Sequence, residues 1–160
     1  MNKKTLSRSI AGLVAVGLAT VAYASPHFVP GARCVVRSGS AAGFGVDASI
    51  NNPGTSTQIL ICPGDTLDLA TNVTSKISVT DNNTTDQVCC STRTRNANGG
   101  TITTGTDACT SVGGTGADLF LIPGDVGPVS GTFNYHWVQC GVPANTGSRS
   151  SVNGYRILDL

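Results

Sequence analysis

Six cysteines, Cys34, Cys62, Cys89, Cys90, Cys109 and Cys140, all follow an N-terminal segment built like an export signal, and no other feature limits the fold as tightly. Lys3, Lys4 and Arg8 give a positive start, residues 10–21 form an apolar run, and Ala22-Tyr23-Ala24 supplies the small side chains a signal peptidase reads. Cleavage after Ala24 is expected, leaving residues 25–160 as one domain. The apolar run is shorter than the ~20 residues a bilayer span needs, and Ser25-Pro26 follows at once, so no membrane span is expected after cleavage. Ser25 in place of a cysteine argues against a lipid anchor at the new terminus. The expected location is therefore secreted or periplasmic, where thiols oxidise and six cysteines make three disulfides.

Six cysteines allow about 15 pairings. One constraint is local: neighbouring strand residues point to opposite faces, so Cys89 and Cys90 should not bond to each other. Cys109 lies across a Gly/Thr/Asn-rich stretch from them, which makes Cys89 with Cys109 the preferred pair. Zinc is the rival use of cysteine, but there is no C-x-x-C pair, and His27 and His136 are far from any thiol pair in sequence. No metal and no cofactor is expected.

The chain contains no glutamate, and Lys76 is its only lysine beyond the leader, so good helix formers are scarce. With 39% hydrophobic and 12% charged residues it can still bury a core. Pro-Gly pairs at 30–31, 53–54, 63–64 and 123–124 mark turns, glycine being expected to accept a positive φ after the proline. Strands are predicted at 34–37, 45–50, 57–62, 75–80, 87–94, 117–122, 131–140 and 152–158, with β-branched residues frequent in them. Lys76-Ile77-Ser78-Val79-Thr80 alternates cleanly, so one face of that strand is wet. About eight short strands with turns between them predict an all-β fold, an antiparallel β-sandwich. Residues 96–115 read as a long polar loop tethered by Cys109.

Beyond the leader, seven basic residues face nine aspartates, and this balance offers no footprint for nucleic acid. The motifs of catalysis fail one by one. Residues 43–48 spell G-x-G-x-x-A but open no predicted helix, and residues 127–131 miss the nucleophile spacing G-x-S-x-G. Residues 81–86 begin like a calcium loop, yet Asp86 stands where glycine is required and Thr92 where a carboxylate is, so a turn with Asn and Asp bonded to nearby backbone is expected. No catalytic residue is assigned, and the chain is expected not to be an enzyme.

The segment Thr132-Phe133-Asn134-Tyr135-His136-Trp137-Val138-Gln139-Cys140 carries the one stripe of interest. Alternation puts Phe133, Tyr135 and Trp137 on one face and His136, Val138 and Cys140 on the other. A buried disulfide at Cys140 would turn the aromatics outward, as a platform for sugar rings or a partner's apolar patch. The stronger expectation is that the core claims these large side chains, since only seven aromatics lie beyond the leader, and His136 would then face solvent. Phe133, Tyr135 and Trp137 are the candidate ligand-binding residues.

Ile61-Cys62-Pro63, Val79-Thr80-Asp81-Asn82 leading to Val88-Cys89-Cys90-Ser91, Gln139-Cys140-Gly141-Val142-Pro143 and the closing Asn153-Gly154-Tyr155-Arg156-Ile157 resemble a loose set of small, Sec-exported bacterial β-sandwich proteins held by cysteine bridges. Those proteins have no established activity, so the resemblance brings no site residues. It implies that Cys34, Cys62, Cys90 and Cys140 are the recurring cysteines and that Cys89 with Cys109 is an added pair. The function expected is an exported, disulfide-stapled, non-enzymatic binding or structural module of the cell envelope or medium. Its alternatives are a carbohydrate-binding module using the aromatic stripe and a subunit of an extracellular fibre. The partner would accordingly be a glycan or an envelope protein.

Overall fold

The structure, a computed structural model, describes residues 28–64, 72–96, 100, 102–127 and 134–160; the expected leader, His27 and Phe133 lie outside the described residues. The described chain is all β, with no α-helix and a single turn of 3-10 helix at Gly31–Arg33. Its strands are β1 (Val29–Pro30), β2 (Val35–Ser38), β3 (Gly43–Phe44), β4 (Ile50–Asn51), β5 (Gln58–Pro63), β6 (Val73–Asp81), β7 (Cys89–Asn96), β8 (Ile102–Thr104), β9 (Ala108–Cys109), β10 (Gly116–Leu121), β11 (Asn134–Val142) and β12 (Ser151–Asp159). They form two antiparallel sheets packed as a sandwich. The first runs β10-β6-β12-β4-β3, with β1 beside β4 on the same edge of β12; the second runs β2-β5-β11-β7-β8, with β9 also on β7.

Most predicted strands lie within two residues of observed ones, because alternation and turn chemistry agreed there. Two expectations need correction. Residues 45–50 are not one strand: β3 and β4 pair as a hairpin, and residues 45–49 are its tip. Asp47 accepts hydrogen bonds from the Ser49 N–H (3.2 Å) and hydroxyl (2.7 Å), and Ala48 adopts a φ of 60°. Local side-chain bonding to backbone outweighs the β propensity of Val46 here. The G-x-G-x-x-A spelling falls on this hairpin and no helix. Residues 96–115 likewise are more than a loop, since β8 and β9 extend the second sheet along β7.

Side chains alternate between the layers as pleating requires. From the first sheet Ile50, Ile77, Val79, Val152 and Tyr155 point inward, and from the second Leu60, Cys62, Cys90, Val138, Cys140 and Val142 meet them. Polar links also cross the gap: the Ser75 and Thr92 hydroxyls lie 2.6 Å apart, and the Tyr155 hydroxyl donates to the Pro63 carbonyl at 2.6 Å. The core is built of Val, Ile, Leu and cystine. Tyr155, 1% exposed, is its one aromatic among the described residues.

Three disulfides staple this core: Cys34 with Cys62, Cys89 with Cys109, and Cys90 with Cys140. The preferred Cys89 to Cys109 pair is present, joining β7 to β9 at directly opposed positions. Cys90 and Cys140 are likewise opposed in the β7/β11 ladder, but on the inner face, so the adjacent cysteines serve opposite sides of one strand.

The Pro-Gly turns use glycine differently from the expectation. None of Gly31, Gly54, Gly64 or Gly124 has a positive φ; that conformation occurs at Gly39, Gly113 and Gly147. What these turns need is room. A Cβ on Gly31 would sit 1.9 Å from the Val152 carbonyl oxygen, and one on Gly64 would sit 2.8 Å from that of His136. Close approach of backbone to backbone excludes a side chain at Gly31. Gly31→Ala is expected to cost about 1–3 kcal/mol, the range for forcing atoms into packed space. A urea titration checks it, and an unmoved midpoint would refute the crowding.

At one end of the sandwich, where β6 turns into β7 and β11 into β12, polar side chains replace the apolar core. Asp81 is fully buried; it accepts from the Asn83 N–H (3.0 Å), the Ser150 hydroxyl (3.0 Å), the Val88 N–H (3.4 Å) and the Thr110 hydroxyl. Asn83 in turn accepts from the Thr85 and Asp86 N–H groups at 2.8 Å, and its amide donates to the Ala144 carbonyl. Residues 81–86 are thus the Asx-rich turn expected of them. Asn52 pins the neighbouring loops, its amide nitrogen donating to the carbonyls of Ser56, Val142 and Pro143.

Candidate functional site

β11 alternates as predicted, and the disulfide decides its phase. Asn134, His136, Val138, Cys140 and Val142 face the core, while Tyr135, Trp137, Gln139 and Gly141 face outward. The expectation that the core would claim the aromatics is therefore corrected. Cys90 and Cys140 occupy that depth, and a single-residue register fixes every other side chain on the strand. Tyr135 is 50% exposed and Trp137 half-buried. His136 is 2% exposed, and its Nδ1 lies 2.8 Å from the Thr94 hydroxyl, so this imidazole belongs to the interior and not to a solvent-facing site.

The neighbours of this stripe follow from register. Trp137 stands between Arg93 on β7 and Pro63 on β5, and Tyr135 stands beside Arg95. Gln139 is flanked by Ile61 and Ser91, and its side-chain carbonyl accepts from the Arg37 guanidinium at 3.2 Å. Directly opposed side chains on an antiparallel pair lie about 4.5–5.5 Å apart at Cβ, close enough to form one surface. The strands of this second sheet contain three arginines, Arg37, Arg93 and Arg95, and no carboxylate. Arg93 donates to the neutral Ser91 hydroxyl and Arg37 to the neutral Gln139. The result is a flat strip of aromatic and guanidinium groups.

The opposite face carries a second cluster, which the sequence reading missed. Phe28 and Phe120 meet edge to face with ring centroids 6.1 Å apart, and both are exposed. Lys76 Nζ sits 4.1 Å from the centre of the Phe120 ring, and the Arg156 guanidinium 5.3 Å from that of Phe28. A groove of about 260 Å³ lies against these rings, lined also by Ser78, Asn153 and Gly154. A signal was available, because alternation from Leu119 to Ile122 turns Phe120 and Ile122 away from Leu121, which is buried.

Two of the aspartates serve the fold. Asp81 is saturated by donors, and the Ser49 hydroxyl, then the Ser49 N–H, hold the Asp47 carboxyl below its ordinary range. All six cysteines are bridged. Among the described residues no three His, Cys or Asp side chains gather as metal ligands would, and no helix is long and apolar enough to cross a membrane. No protein-family model matches the chain, and no curated protein matches it.

Proposed function

We propose that this disulfide-stabilised β module is exported and works without catalysis, as a binding module of the envelope or medium that holds polysaccharide on the outer face of its second sheet. The observation that supports this is the outward placement of Tyr135 and Trp137, in line on β11, while His136, Val138 and Cys140 fill the core. Aromatic faces stack on the C–H faces of sugar rings, and Gln139, Arg37 and Arg93 beside them offer hydrogen bonds to hydroxyls. Burial of large aromatics is the ordinary economy of a small core, so their display carries a cost that binding would offset. The bridged core suits the oxidising compartments that the leader addresses.

Trp137 is the only tryptophan, so its fluorescence reports this face alone. Binding of a recognised polysaccharide is expected to quench it. Trp137→Ala should weaken that binding at least tenfold while leaving the melting temperature within a few degrees, since the ring is not in the core. Absence of binding across a broad polysaccharide set, with the folded protein confirmed by circular dichroism, would retire the proposal. The fibre alternative predicts polymers in the culture medium that vanish when an exposed strand edge is blocked.

A further inference from the structure

On the first sheet, Lys76 and Arg156 occupy directly opposed positions of the β6/β12 ladder. Like charges so placed repel, and a stable protein normally breaks such a pair or supplies a carboxylate between them. Among the described residues neither cation has a carboxylate partner. Each instead lies over an exposed phenylalanine, Lys76 over Phe120 and Arg156 over Phe28. Two residues further along the same strands, Ser78 and Gly154 are opposed, and this small-residue floor carries the 260 Å³ groove against the two rings. At its far end Asn153, on a bulge of β12, donates to the Thr80 hydroxyl (3.0 Å) and to Asp118 (3.2 Å).

The groove is thus flanked by charged and polar groups. The groove itself is lined by the two rings, Ser78, Asn153 and Gly154, while Lys76 and Arg156 lie against the rings and the Thr80 hydroxyl and Asp118 lie against Asn153. We infer that this groove binds a single acidic sugar ring of the uronate class. The sugar carboxylate lies between Lys76 and Arg156, its C–H face packs on the phenylalanines, and its hydroxyls meet Asn153, Asp118 and Ser78. The ligand carboxylate then relieves the repulsion built into the ladder, because opposite charges attract where like charges had faced each other. The volume is below the usual range for drug-sized pockets, which suits one ring of a chain and not an enclosed oligomer. This site is on the sheet opposite Trp137 and does not depend on the function proposed above.

A nitrogen-15 NMR titration of the oxidised protein separates the two faces. Glucuronate or galacturonate disaccharide is expected to shift the amides of Ser78, Asn153 and Gly154 and leave the Trp137 indole unmoved. The matching neutral disaccharide should bind at least tenfold more weakly, and Lys76→Gln with Arg156→Gln should weaken the acidic sugar at least tenfold. Phe120→Ala should weaken it also. Equal shifts with neutral sugar, equal shifts with plain acetate at the same concentration, or full affinity in the double glutamine variant would each overturn the inference. Shifts at Trp137 alone would overturn it too while leaving the proposed function standing.

Discussion

Reduced protein is expected to lose most of its stability, melting tens of degrees below the oxidised form or failing to fold. The bridges close chain segments of 28, 20 and 50 residues. Chain entropy assigns such loops about 3–4 kcal/mol each. Three of them together approach the whole stability of a typical domain, ~5–15 kcal/mol, even allowing that two of the loops interlock and do not add fully. The loss should be stepwise. Cys109 is exposed and Cys89 partly so, whereas Cys34, Cys62, Cys90 and Cys140 are 3% exposed or less. Mild reductant is therefore expected to open the bridge between Cys89 and Cys109 first and leave the fold standing. The other two yield only when the sandwich opens. Alkylation with mass mapping along a dithiothreitol series, beside thermal melts, checks both parts. A melt unchanged with all thiols free, or the inner bridges reduced first, would contradict them.

Asp81→Ala is expected to be the most damaging single substitution outside the cysteines, at about 3–5 kcal/mol. The buried carboxylate gathers donors from four places in the sequence, at Asn83, Val88, Thr110 and Ser150. Removing it leaves several of them buried without an acceptor, each costing about 1–3 kcal/mol, although Val88 keeps a bond to the Thr110 hydroxyl at 3.0 Å. Asp81→Asn retains the shape but places an amide where hydroxyls converge to donate, so it should recover only part of the loss. Urea unfolding measures both variants. A change below about 1 kcal/mol for the alanine would mean that water or rearranged loops replace the carboxylate readily, against the geometry.

Much of the sandwich was legible in the sequence, and the reasons are specific. Alternation in Ser75 to Thr80 and turn residues such as Asn52-Pro53-Gly54 are local signals, and local geometry followed them. Strand pleating excluded a bond between Cys89 and Cys90, and the short polar stretch leading to Cys109 pointed to the pair of Cys89 with Cys109, which the structure contains. What the sequence left open were quantities fixed by distant partners. Whether Trp137 faced in or out depended on which element met Cys140, and the answer was Cys90, 50 residues away in the chain. The role of glycine in the Pro-Gly turns depended on which backbone came close, as Val152 does to Gly31. The Phe28 cluster needed β1 and β10 to be placed on the same sheet, flanking β12 and β6, which no local pattern states.

In each sheet the central strand is also the last of that sheet to appear in the chain: β12 between β6 and the pair β1 and β4, and β11 between β5 and β7. A polypeptide that emerges N-terminus first, as from the ribosome, thus delivers its flanks before its keystones. Until residues 134–159 arrive, β5 can pair with β2, β6 with β10, and β7 with β8 and β9, but each keeps one edge bare and open to mispairing. The sandwich can therefore close only after its last two strands have emerged, so folding is deferred to a single late step.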